Sequence, residues 1–93
     1  ANVRFLAADL GAKNIRVNMI SPGPVAYPGG NWAMIKDAVP DLYTKTLSEM
    51  PLGRFGAPED VARSMVFLSS PMASYITGTN LIIDGGYTRR VQF

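Results

Sequence analysis

Only two stretches of this chain have the pattern of a β-strand, which limits what the chain can form. In residues 15–20, apolar side chains alternate with Arg16 and Asn18. Residues 81–83 are a continuous apolar run, typical of a strand covered on both faces. Because helical segments separate the two strands, we predict a parallel pair with a right-handed crossover. Two parallel strands leave their faces and edges uncovered, so this α/β fold is predicted to be incomplete by itself.

Helical periodicity occupies three further parts of the chain. Residues 1–12 have one apolar face and no obvious capping residue. Residues 31–50 are predicted to form two short helices, the second restarting at Pro40. The clearest helix starts at Pro58, carries two acids in its first turn and ends near Ser69 or Ser70. Its predicted apolar face consists of Val61, Ala62, Met65, Val66 and Leu68.

Composition narrows the classes of function. The chain has 93 residues, 17% of them charged, and no apolar run near the ~20 residues of a membrane span. It contains no Cys and no His, so disulfides, cysteine-based zinc sites and the commonest general base are excluded. The net charge is only +2 and the cations are scattered. We therefore predict no metal site and no nucleic-acid or membrane partner, and the lack of cysteine favours the cytoplasm.

A loop rich in proline and glycine follows the first predicted strand. Six of the nine residues 22–30 are Pro or Gly, which ends the strand and leaves the backbone accessible. Loops at the carboxyl ends of parallel strands often carry function. The connection from the first strand to the last helix is longer than usual, so residues 31–50 are a candidate lid over a site.

Four blocks of sequence occur in an order and at spacings that characterise one enzyme family. They are Leu6-Ala7-Ala8-Asp9-Leu10 with Asn14-Ile15-Arg16-Val17-Asn18, then Ile20-Ser21-Pro22-Gly23-Pro24-Val25, then Pro51-Leu52-Gly53-Arg54-Phe55-Gly56 running into Pro58-Glu59-Asp60-Val61-Ala62, and Ile76-Thr77-Gly78 with Asp84-Gly85-Gly86. On these blocks the chain resembles the carboxyl-terminal part of a short-chain dehydrogenase/reductase. The resemblance covers nearly the whole chain except residues 31–50, which the family does not specify.

The resemblance implies that residues 1–93 are the carboxyl-terminal part of one NAD(P)-binding domain, a Rossmann-type doubly wound parallel sheet. It also implies NAD or NADP as cofactor, hydride transfer with a small carbonyl or alcohol substrate, and a homodimer or homotetramer. The family's catalytic Tyr precedes a Lys by four residues, and no tyrosine here does so. We expect no catalytic residue in this chain, which would begin just after that Lys, lack the glycine-rich phosphate turn and be inactive alone.

The resemblance assigns the nicotinamide side of the site to the proline- and glycine-rich loop. Pro22 and Gly23 would bring the backbone close to the nicotinamide ring, and Val25 would offer its main-chain amide to the carboxamide. Two residues further on, family members commonly have a Thr that touches the pyrophosphate. This position is Tyr27 here, a departure from the family pattern. The simpler alternative is that residues 22–30 form only a flexible turn.

Apolar residues of the candidate lid have two interpretations. Trp32, Met34 and Ile35 either line an apolar substrate pocket or pack in the core or against another subunit. Tyr43 and Lys45 are expected to face solvent. The remaining polar candidates are predicted to be structural: Arg16 and Asn18 hold the first strand, Glu59 and Asp60 start a helix, and Asp84-Gly85-Gly86 forms a turn at a strand end.

The missing strands have two possible sources. We expect them to come from sequence upstream of Ala1, as in an ordinary enzyme. The alternative is a non-catalytic interaction module whose nucleotide-binding half is a separate polypeptide.

Overall fold

The computed structural model describes residues 2–88. Ala1, which the predicted first helix includes, and the tail 89–93 lie outside the described residues. In chain order the elements are α1 (Val3–Gly11), β1 (Met19–Pro22), α2 (Asn31–Ala38), α3 (Pro40–Ser48), α4 (Pro58–Ser69), a single 3₁₀ turn (Pro71–Ala73) and β2 (Asn80–Ile83).

The two strands are parallel neighbours, as predicted. Met19 pairs with Asn80 at one end of the ladder and Pro22 with Ile83 at the other. The α/β class with parallel strands is therefore confirmed. All four residues of β2 are only half-buried, so the expected cover of both its faces is not provided by residues 2–88.

The prediction of the first strand at residues 15–20 is wrong by several residues, since β1 covers Met19–Pro22. The reason is that residues 16–18 bind the loop before β2 instead of forming a ladder. The Val17 N–H donates to Thr77 Oγ1 at 3.0 Å, and the Val17 carbonyl accepts from the Gly78 N–H at 2.8 Å. Pro22 is tolerated in this pairing because the amides that bond the β2 side are those of alternate residues, such as Met19 to the Thr79 carbonyl at 2.9 Å and Gly23 to the Ile83 carbonyl at 2.8 Å.

The first helix has a cap that the sequence did not reveal. The Asn2 side chain accepts a hydrogen bond from the Arg4 N–H at 2.9 Å, so the expectation of an uncapped start is wrong. This is the usual N-cap arrangement, in which a short polar side chain satisfies a free amide of the first turn. After the helix, Asn14 takes a left-handed conformation (φ 58°) and turns the chain toward β1.

The remaining helices agree with the sequence prediction. Within residues 31–50 lie α2 and α3, separated at Val39 and ending at Ser48, and α4 begins at Pro58 and ends at Ser69. Of the predicted apolar face of α4, however, only Leu68 is buried, whereas Met65 and Val66 are 54% and 70% exposed. The face is apolar as expected, but residues 2–88 cover little of it.

The core is thin, as the length predicts. Its buried apolar members are Ala7, Met50, Phe55, Leu68 and Ala73. No helix within residues 2–88 combines the length and the apolar character needed to span a bilayer.

Candidate functional site

The site begins where β1 and β2 end side by side. The Gly23 N–H donates to the Ile83 carbonyl at 2.8 Å, so the loop leaves β1 directly against the end of β2. A Cβ atom at Gly23 would lie 2.5 Å from Asp84 Cβ and 2.9 Å from Asp84 Cα, which is too close for any side chain. Glycine is therefore required here by the close approach of two backbones.

Asp84 closes the turn after β2. Its Oδ1 accepts from the Gly86 N–H at 2.9 Å, and its Oδ2 accepts from the Thr88 hydroxyl at 2.7 Å and the Thr88 N–H at 3.0 Å. The Thr88 hydroxyl, followed by these backbone amides, lowers the pKa of the Asp84 carboxyl. Gly85 and Gly86 both have positive φ, as such a turn needs. The predicted turn at the strand end is confirmed.

The loop after β1 is held by a second short pairing. Val25 forms an isolated parallel bridge with Gly56, in which the Gly56 N–H donates to the Pro24 carbonyl at 3.0 Å and the Ala26 N–H to the Gly56 carbonyl at 2.9 Å. Gly56 thus bonds the residues on either side of Val25, and in such a parallel bridge the N–H of Val25 itself is directed away from Gly56. Within residues 2–88 the Val25 N–H makes no hydrogen bond. The loop is thus an anchored segment rather than a merely flexible turn.

Asp60, in the first turn of α4, fixes the chain on both sides of Gly56. Its Oδ2 accepts from Arg54 Nη1 at 2.9 Å and from the Ala57 N–H at 2.8 Å. These contacts, the Arg54 hydrogen bond first, lower the pKa of the Asp60 carboxyl. Since the Arg54 side chain is 60% exposed, water weakens the ion pair. The predicted helix-start role of Asp60 is confirmed.

Tyr27 lies at the far end of the loop, where it packs on the start of α2. A Cβ atom at Gly30 would lie 2.8 Å from Tyr27 Cζ, so the ring rests directly on the Gly30 backbone. Gly30 is buried beneath it, while Tyr27 remains 51% exposed. The ring therefore covers the junction between the loop and α2.

The candidate lid contacts the loop around Gly56 through aromatic rings. The Phe55 ring centroid lies 4.9 Å from that of Trp32 and 4.9 Å from that of Tyr43, in tilted arrangements typical of aromatic pairs. Lys36 Nζ lies 5.5 Å from the Tyr43 ring centroid. The expectation that Tyr43 faces solvent is wrong, because Phe55 covers one side of it, whereas Lys45 is exposed as expected.

The three predicted lid residues are not in equivalent places. Trp32 packs on Phe55, Ile35 is half-buried and Met34 is 64% exposed. Phe55, only 8% exposed, was not a predicted site residue. The one signal that could have found it is an aromatic side chain within the block Pro51-Leu52-Gly53-Arg54-Phe55-Gly56.

Arg16 and Asn18 have the structural role predicted for them. The Arg16 guanidinium donates to the Leu68, Ile76 and Ser70 carbonyls at 2.7, 3.2 and 3.3 Å. Asn18 donates to the Ile76 carbonyl at 3.0 Å and accepts from the Thr79 N–H at 3.1 Å. These bonds hold the approach to β1 against the end of α4 and the start of β2.

Of the cavities around the strand pair, two bear on the candidate site. One, of about 280 Å³, lies below the loop between β2 and α4 and is lined by residues that include Pro24, Gly56 and Ser64. The other, of about 640 Å³, runs along residues 14–18 and the α4 face near Met65. The larger cavity is the open space beside β1. No group of three or more acidic residues within 2–88 is placed to hold a metal ion.

Comparison with known proteins gives matches over almost the whole chain. The family model described as Enoyl-(Acyl carrier protein) reductase matches residues 1–88. Isoepoxydon dehydrogenase patN of Aspergillus clavatus is 45% identical over 92 residues, covering 99% of this chain and 36% of that protein.

Solved structures share the fold. The crystal structure of YwfH, an NADPH-dependent reductase involved in bacilysin biosynthesis, superposes with a TM-score of 0.81 at 28% identity, covering 96% of this chain and 36% of that one. A variant of a Serratia marcescens short-chain dehydrogenase/reductase gives a TM-score of 0.77 at 38% identity, covering 92% of this chain and 33% of its own. The present chain therefore spans about a third of the length of the relatives it matches.

Proposed function

Because this chain belongs to the short-chain dehydrogenase/reductase family, we propose that the whole protein is an NAD- or NADP-dependent oxidoreductase. It transfers a hydride between the nicotinamide cofactor and a small carbonyl or alcohol substrate. The family match over residues 1–88 supports this proposal, as do relatives that are dehydrogenases and reductases, one of them NADPH-dependent. Residues 1–93 are then the carboxyl-terminal part of a single Rossmann-type domain, with residues 31–50 as the substrate lid.

The observation that carries the proposal is the Val25 N–H after the carboxyl end of β1, which has no hydrogen-bond partner within residues 2–88. The Val25–Gly56 bridge holds this donor in place and directs it away from Gly56. A fixed amide donor suits the carboxamide oxygen of nicotinamide, since a preoriented donor loses little freedom on binding. The family resemblance places Pro22 and Gly23, which precede this donor, beside the nicotinamide ring. The cofactor itself, when bound, supplies or accepts the hydride.

Tyr27 completes the cofactor side in this proposal. Its ring lies on Gly30 through the end that bears the hydroxyl, and half of the residue's surface is exposed. A hydroxyl donor suits a phosphate oxygen as well as the smaller Thr of the family pattern does. Tyr27 would therefore contact the pyrophosphate through its phenol.

The lid supplies the substrate contacts in this proposal. Of the lid residues Trp32, Met34 and Ile35, Met34 is 64% exposed and is the one most available to a substrate. An apolar lid also excludes water from the reacting carbon. We therefore assign a small carbonyl or alcohol with some apolar surface as the substrate.

Residues 1–93 contribute no catalytic Tyr–Lys pair, so these residues alone are proposed to be inactive. The pair would lie in the preceding part of the whole protein, which also supplies the strands beside β1. As in other members of the family, the whole protein would be a homodimer or homotetramer, and the lack of cysteine favours a cytoplasmic location.

The decisive experiment uses the complete reading frame that contains this chain. We expect a Tyr followed four residues later by Lys shortly before Ala1, and oxidation of NADH or NADPH by the whole protein with members of a carbonyl panel. Val25→Pro removes the amide donor and should weaken cofactor binding about tenfold, whereas Val25→Ala keeps the donor and should bind nearly as the wild type does. Hydride transfer by residues 1–93 alone, or none by the whole protein, contradicts the proposal.

The open cavity beside β1 favours one alternative, in which a separate polypeptide covers this edge and the chain is a non-catalytic module. The purified chain would then be compact and monodisperse by size-exclusion chromatography. A start codon adjacent to Ala1 would also favour the module over the parent enzyme.

A further inference from the structure

We propose that Phe55 is a positioning residue that couples cofactor binding at Val25 to substrate binding at the helical lid, residues 31–50. The juxtaposition behind this proposal is that Phe55 contacts both lid helices and is the sequence neighbour of Gly56, the bridge partner of Val25. The inference rests on the proposed function and adds a residue that neither touches the reacting atoms nor carries a charge.

Phe55 holds the lid through one ring from each helix. Trp32 comes from α2 and Tyr43 from α3, and both ring centroids lie 4.9 Å from that of Phe55. Aromatic pairs at this distance are stabilised beyond the apolar area that they bury. The side chain is also among the most buried apolar groups in residues 2–88.

The lid has few other attachments. Helices α2 and α3 pack on one another, but within residues 2–88 neither packs extensively on α1, α4 or the strands. At its beginning the lid follows Gly29, whose φ is +80°, and the buried Gly30. Near its other end Thr46 and Met50 are buried. A helical pair entered through two glycines is suited to move as a unit on the Phe55 contact.

The other side of Phe55 is held firmly. Arg54 donates to Asp60 at 2.9 Å, Ala57 donates to the same carboxylate at 2.8 Å, and Gly56 pairs with Val25. Phe55 lies between these anchors, so a backbone movement that carries its ring toward or away from the lid also displaces Gly56 in the Val25–Gly56 bridge. By thermodynamic reciprocity, a ligand on either side then changes the affinity for the ligand on the other.

The test measures this coupling in the whole protein. The oxidised cofactor cannot reduce a carbonyl, so its Kd can be measured without turnover, with and without the carbonyl that the enzyme reduces best. We expect the carbonyl to tighten cofactor binding about tenfold in the wild type and in Phe55→Tyr, which keeps the ring. In Phe55→Leu the ratio of the two Kd values should fall to nearly one, and the KM for the carbonyl should rise more than kcat falls.

Two further variants keep the test informative. Tyr43→Leu removes one of the two ring contacts without changing Phe55, and it should lower the coupling even if Phe55→Leu does not fold. Phe5→Leu, on an α1 side chain that is 74% exposed, is the matched control and should couple as the wild type does. A wild-type ratio of one, or unchanged coupling in Phe55→Leu or in Tyr43→Leu, overturns the role of Phe55. Absence of turnover in the wild type overturns the proposed function instead.

Discussion

The backbone of Val25 pairs with that of Gly56, although the two residues belong to different connecting segments. The pairing is parallel and consists of two hydrogen bonds, at 2.9 and 3.0 Å, outside β1 and β2. It extends the order of the sheet beyond the end of β1. As a result, the loop that follows Pro22 is fixed by α4 and by the segment that precedes α4, rather than by its own sequence.

Gly56→Pro should break this pairing. Proline has no N–H to donate to the Pro24 carbonyl, so the loop loses one of its two anchoring hydrogen bonds. We expect cofactor affinity in the whole protein to fall about tenfold, measured by titration with NADH and NADPH. Gly56→Ala is the control, because its Cβ would meet only ordinary contacts at 3.5 Å or more. Equal loss in both variants would argue against the bridge as the cause.

Gly23→Ala should destabilise the junction of the two strands. Its new Cβ would lie 2.5 Å from Asp84 Cβ and 2.9 Å from Asp84 Cα, so a strand end has to move. We expect a loss of about 1–3 kcal/mol in the free energy of unfolding, measured by denaturant titration of the whole protein. Gly11→Ala, where the added Cβ meets nothing within 4 Å, should instead gain about 0.5–1 kcal/mol.

Asp60→Asn should reduce stability at neutral pH more than at acid pH. The folded state lowers the pKa of Asp60, chiefly through Arg54, so the stabilisation is present above the unfolded pKa of about 4 and is lost as the pH falls through the folded pKa. The urea midpoints of wild type and variant should therefore differ at pH 7 and approach each other only as the pH falls below about 4.

Glu59→Gln is the control for Asp60→Asn, since it removes the same charge from the same helical turn. Glu59 makes no hydrogen bond or ion pair within residues 2–88. A midpoint difference between wild type and Asp60→Asn that is independent of pH would contradict the role given to the carboxylate.

Arg16→Lys should be costly although it keeps the charge. The planar guanidinium reaches the Leu68, Ile76 and Ser70 carbonyls together, and an ammonium group cannot reproduce that geometry. We expect a loss of about 1–3 kcal/mol in the free energy of unfolding, measured by chemical denaturation. The same substitution at Arg63, whose side chain is 77% exposed, should change stability by less than about 0.5 kcal/mol.

Local sequence signals predicted most of the fold. Pro58 and the acids after it set the start of α4, and Pro40 separates α2 from α3, because these residues act within a single turn. The first strand was misplaced because the hydrogen bonds of Arg16 and Asn18 reach residues more than 50 positions away. Alternation along the sequence carries no information about such distant partners.

The candidate site, like the fold, could be predicted from the sequence only in part. The loop from Pro22 to Tyr27 could be proposed from its proline and glycine content and from the family resemblance, both of which are visible in the sequence. The aromatic contact of Phe55 with Trp32 and Tyr43 could not, since it depends on how two short helices fold back over the chain. The same contact explains why Tyr43 is not the solvent-facing residue that its surroundings in the sequence indicate.

The parallel ladder also determines the order of events during synthesis. Ser21 and its hydrogen-bonding partner Asn80 are 59 positions apart, so β1 leaves the ribosome well before β2 exists. At roughly 5–20 residues per second, the strand and its proline- and glycine-rich loop wait several seconds for β2. Contacts of such high sequence separation form slowly even then. Nascent chains arrested between α4 and β2 should therefore be the species most accessible to proteases and chaperones.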